Sequence, residues 1–110
     1  MKIGNQEKPT FAQFRESFLM TLHQITGMNV NTCDSWLTMG DSEIREKTIR
    51  EFIRLNEQQY GFEIVLLGQL NNKEGSIEGV IGELYHVFST MFLVEVINSK
   101  IRAGEKRVEI

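Results

Sequence analysis

Few residues in this chain have the type and spacing that chemistry needs. His23, His86 and Cys33 are the only strong soft or borderline metal ligands. They fall on different predicted elements without zinc-ligand spacing, so no metal site is expected. A Cys33–His nucleophile pair would have to be assembled in space, because such partners need not be neighbours in sequence. The chain has no G-x-x-x-x-G-K-S/T and no G-x-G-x-x-G, hence no recognised phosphate cradle. Gly75, Gly79 and Gly82 stand at the start of a helix, where close helix packing is their expected role. No nucleophile–base pair or metal constellation can be assembled, so a protein without catalytic residues is expected.

Charge is equally plain. Lys47, Arg50 and Arg54 form a basic stripe, but Glu43, Glu46 and Glu51 are interleaved with it. That pattern reads as a solvated, salt-bridged helix face. Lys100, Arg102, Lys106 and Arg107 form a second basic patch, read the same way. A formal net charge of -3 argues against a dedicated nucleic-acid binder.

The elements that position these residues follow from periodicity. Thr10-Phe11-Ala12-Gln13 reads as a capping box. Phe11, Phe14, Phe18, Leu22 and Ile25 then share one helical face, and Gly27 supplies the stop. The first helix is predicted over 11–26. Residues 28–40 have no period; their turn formers predict a packed connection anchored by Trp36. Asp41 or Ser42 caps the next helix, predicted over 42–60 with Gly61 as its stop. Its pairs Glu43–Lys47 and Glu46–Arg50 have the favourable i,i+4 order. Phe62–Leu70 has no partner strand, so a short helix or packed turn is expected there. Ser76 caps the last helix, predicted over 77–103.

From the second helix onward the chain resembles the acyl carrier protein family. That family bears its prosthetic group on the serine of a G-x-D-S-L motif, at the start of a helix ending in a phrase like L-E-E-E-F-G-I-E-I. Here Gly40-Asp41-Ser42-Glu43 opens the helix, and the run from Leu55 to Tyr60-Gly61-Phe62-Glu63-Ile64 closes it. Ser76-Ile77-Glu78-Gly79-Val80-Ile81 is similar to the T-V-G-D-L-V that opens the family's last helix. The similarity covers about residues 10–88. It implies a helical carrier module with phosphopantetheine on Ser42. A phosphodiester there would meet free backbone N–H groups and the positive end of the helix dipole. The chain departs from the pattern by lacking a residue between Gly40 and Asp41, and by carrying Glu43 after the serine.

The expected architecture is all-α: one small helical bundle over 1–110, with three main helices, one short element and a long C-terminal helix. Residues 1–9 and 105–110 are expected to be tails. Met1–Pro9 has no apolar core and is not a secretory signal. The most apolar stretch, Met91–Ile97, is interrupted by Glu95. A span needs roughly 20 apolar residues, so no membrane segment is expected. One cysteine rules out an internal disulfide and fits a reducing compartment, hence a cytoplasmic protein.

The last helix would be about 40 Å long, against a domain diameter of roughly 35 Å. Its second half is apolar on more than one side. Met91, Phe92, Leu93, Val96 and Ile97 are therefore the candidate partner surface, for a homodimer or a larger complex. Two classes of function follow. One is a carrier-like module acting through protein contacts; the other is a stand-alone inhibitor, immunity or regulatory protein without a cofactor.

Overall fold

Thr10 opens the first helix through both halves of a capping box. Its hydroxyl accepts from the Gln13 N–H at 3.2 Å, and its own N–H donates to Gln13 Oε1 at 2.9 Å. In this computed structural model, which describes residues 2–3, 6–66 and 70–102, three helices follow. They are α1 (Phe11–Thr26), α2 (Ser42–Tyr60) and α3 (Ile77–Arg102). Gly27 and Gly61 stop the first two at φ of 72° and 78°, a left-handed turn that a side chain would strain. Thr10→Ala is expected to cost about 1 kcal/mol. The check is a lower urea midpoint with an unchanged slope.

The fold is all-α, apart from a two-residue antiparallel ladder between β1 (Lys2–Ile3) and β2 (Gln6–Glu7). Pro9 and Lys8 continue from that ladder along α3. The Tyr85 hydroxyl donates to Pro9 O at 2.7 Å, and Lys8 Nζ donates to Ser89 Oγ at 3.0 Å.

The core is built from one face of each helix. α1 contributes Phe14, Phe18 and Leu22; α2 contributes Ile49 and Phe52; α3 contributes Ile77, Val80, Ile81, Leu84, Phe88 and Phe92. Aromatic rings fill the centre. Phe52 meets Phe14 and Phe18 edge-on, with centroids 4.9 and 5.2 Å apart, a favoured geometry. Buried Thr48 and Asn56 return their donors to their own helix, at Ile44 O and Phe52 O, so neither leaves an unsatisfied donor.

The connection between α1 and α2 is strapped to the start of α3. A 3-10 turn, Trp36–Thr38, seats Trp36 fully in the core. The Ile77 and Glu78 N–H groups, which an α-helix leaves orphaned, donate to Asp34 O and Thr32 O at 2.9 Å each. The Gly79 N–H donates to Ser76 Oγ, as expected of a capping serine. The expectation for the nearby glycines is corrected. A Cβ on Gly82 would meet nothing within 4 Å, and one on Gly79 would meet only Ser76 Oγ at 3.7 Å, so neither marks close helix packing. That face of α3 is turned away from the other helices.

Between α2 and α3, residues 62–66 form neither helix nor strand. They still bury Phe62 and Ile64, and Leu70 is buried at the far end of this segment. The Ile64 N–H is satisfied by Glu57 Oε2 at 2.7 Å.

Candidate functional site

Asp41, not Ser42, is the N-cap of α2. Its Oδ1 accepts from the Ile44 N–H at 2.9 Å. Ser42 is the first helical residue, and its half-buried Oγ accepts from Asn71 Nδ2 at 2.9 Å. The two side chains thus have different work. Asp41→Ala is expected to cost about 1 kcal/mol as a lost cap. Ser42→Ala removes only one partly exposed hydrogen bond and is expected to cost about half as much. Parallel thermal melts of the two variants decide the order.

One turn into the helix sits the residue that organises this corner. Arg45 is only 7% exposed. Its Nε donates to Asn71 O at 2.6 Å, and its Nη2 to Asn72 Oδ1 at 3.2 Å. Its Nη1 donates to Gly40 O at 2.6 Å and Leu37 O at 3.1 Å. The guanidinium therefore ties both connections to α2, and the Asn71 that it holds in turn holds Ser42. Sequence reasoning missed Arg45. The available signal was its position four residues before Ile49, on the apolar face.

Asn71 also lines a groove of about 330 Å³ between α2 and Ile64, Leu66 and Leu70; Ser42 itself does not line it. Ile49, Ile53, Ile64 and Leu66 make its apolar wall; Glu46, Arg50 and Asn71 stand at its polar edge. Glu46 and Arg50 pair with each other there. A second groove, of about 340 Å³, lies on the other side of Leu66 and Leu70, against Val87 and Met91 of α3.

The remaining basic stripe is solvated. Arg54 pairs with Glu51 at 2.7 Å, and that bond and its charge hold the Glu51 carboxyl below its ordinary pKa. The same pairing raises Arg54. Among the described residues, Glu43 and Lys47 form no ion pair, and no three His, Cys, Asp or Glu side chains gather as metal ligands. His23 Nδ1 lies 3.1 Å from Met28 O, His86 lines the second groove, and exposed Cys33 lies on the α1–α2 connection. Of the second basic patch, Arg102 pairs with Glu95 at 2.5 Å; Lys106 and Arg107 lie outside the described residues.

The candidate partner surface is brought together only in part. Phe92 is a correction: it is fully buried, 5.8 Å from the Tyr60 ring and 6.0 Å from Phe62. The 62–64 segment covers it, so it belongs to the core of its own chain. Met91 and Val96 are half-buried, whereas Leu93 and Ile97 are exposed. Val94 and Ile101, which sequence reasoning did not select, are exposed beside them.

No family model matches the chain, and neither does any curated protein or solved structure. The geometry alone carries the functional argument. By length and composition α3 could cross a membrane, with a mean hydropathy of 1.5 over its most apolar stretch. The expectation that no segment is long and apolar enough to span is therefore corrected, Glu95 notwithstanding. Inserting α3 would, however, withdraw six buried side chains from the core described above.

Proposed function

We propose that this chain is a non-enzymatic helical module of carrier type, working through protein contacts, with Ser42 as its attachment residue. The observation that carries the reading is the placement of Ser42. Its hydroxyl stands on the first turn of α2 and accepts from Asn71, which with Glu46 stands at the polar edge of the first groove. The residues fit a phosphopantetheine in two respects. The helix N-terminus favours a phosphodiester, and the groove offers apolar cover to whatever chain the group bears. The group, when bound, would supply a thiol for carrying acyl chains. The protein's own part is to hold Ser42 through Asn71 and Arg45 and to present α2 to partner enzymes.

Co-expression with a broad-specificity phosphopantetheinyl transferase tests the reading. The expected result is an intact mass raised by one phosphopantetheine, with no increase in Ser42→Ala. A chain that stays unmodified under conditions that load a control carrier overturns it. The second reading, a cofactor-free binding protein of inhibitor, immunity or regulatory type, is favoured by the exposed apolar end of α3. In both readings α3 serves as core helix and contact surface in a cytoplasmic protein.

A further inference from the structure

The C-terminal half of α3 extends past the bundle. The molecule measures 51 × 24 × 20 Å, and its radius of gyration of 15.7 Å exceeds the roughly 13 Å of a compact chain this size. On the extension Val94, Ile97 and Ile101 are 44%, 51% and 53% exposed. Steps of three and four residues place them on the same helical stripe as Val87 and Met91, which wall the second groove. One face of one helix thus carries an uncovered apolar ridge at one end and an apolar groove at the other. Its charges differ in the same sense. Glu83 stands by the groove, where Lys73 pairs with one of its oxygens at 3.1 Å, and Lys100 flanks the end of the ridge beside the Arg102–Glu95 pair.

We propose that two copies of this chain pair antiparallel along α3, each laying its Val94–Ile97–Ile101 ridge into the other's groove. A twofold axis near residue 92 satisfies both halves at once, as an isologous interface must. It sets Ile97 against Val87 of the second copy, and Ile101 against Glu83. Lys100 then comes up to the side of the Glu83 carboxylate that Lys73 does not hold. A parallel pair would instead put basic end on basic end and leave both grooves open. The overlap, from 83 to 101, is about 27 Å long.

This inference rests on reading the end of α3 as a contact surface, and names its occupant. Sedimentation equilibrium at micromolar concentration should give the mass of two chains for the wild type. Val94→Glu/Ile97→Glu should give one chain with wild-type helical circular dichroism. Register is tested in a Cys33→Ser background. Glu83→Cys/Ile101→Cys should form a disulfide-linked dimer on mild oxidation, because the two sites lie too far apart to close within one chain. Efficient cross-linking of Ile101→Cys alone indicates parallel pairing and overturns the proposal. So does a wild-type monomer, or a double-glutamate variant that remains dimeric. A monomer whose binding of an apolar dye falls on Ile97→Glu overturns the second copy but keeps the contact surface. A monomer without that difference overturns both.

Discussion

Replacing Arg45 by methionine is expected to lower stability by about 3 kcal/mol. Two effects oppose each other. Removing a buried guanidinium relieves its desolvation, which is why exchanging a whole buried ion pair for apolar side chains is often neutral. Here the partners cannot be exchanged. Three of the four acceptors are backbone carbonyls, of Leu37, Gly40 and Asn71, and the fourth is Asn72 Oδ1. A buried acceptor left without a donor costs about 1–3 kcal/mol. Some of these carbonyls lie near enough to the surface to take water, which holds the sum near the lower end. Methionine preserves most of the stem packing, so the variant isolates the polar loss. Arg45→Lys should recover less than half, because an ammonium has three donors on one point and cannot span two connections. Urea unfolding reads the loss. Amide exchange should accelerate at 37–40 and 71–73 while the middle of α2 stays protected. An unchanged midpoint in Arg45→Met would show that the guanidinium's bonds return no more than its burial costs.

How far this corner was legible in the sequence divides by the kind of interaction. The helix limits were, because Thr10, Gln13, Gly27 and Gly61 act on the backbone within one turn. The α2 cap was half legible. Asp41 and Ser42 are both good caps, and only the observed bond to Ile44 N–H separates them. Arg45 was not, since its partners are main-chain carbonyls that every residue possesses. Phe92 was misplaced for a related reason. Apolar residues nearly encircle the second half of α3, so period alone cannot say which face is covered. The cover comes from Phe62, thirty residues away, on a segment with no period of its own. Both grooves are products of that same segment's path, so no motif announces them.

Trp36→Ala is expected to be the most damaging single truncation, at about 5 kcal/mol. Trp36 is fully buried and sits 6.0 Å from the Phe18 ring. Emptying such a site costs about 3–5 kcal/mol in lost transfer energy and cavity. Its Nε1 also donates to Leu70 O at 2.7 Å, in a buried bond joining the two connections. The abandoned carbonyl adds about 1–3 kcal/mol. A domain of this size has about 5–15 kcal/mol in all, so the variant should be largely unfolded or lack a cooperative transition. Trp36→Phe separates the two terms. It keeps most of the ring packing and loses the bond, and should cost about 2 kcal/mol. Trp36 is the sole tryptophan, so wild-type unfolding can be followed by its fluorescence while both variants require circular dichroism. If phenylalanine proves as damaging as alanine, the bond to Leu70 outweighs the cavity. The strap from Trp36 to Leu70 would then be what fixes the wall between the two grooves. If alanine leaves a cooperative transition at the wild-type midpoint, Trp36 is not an anchor, and the bonds from Thr32 and Asp34 to α3 hold the connection without it.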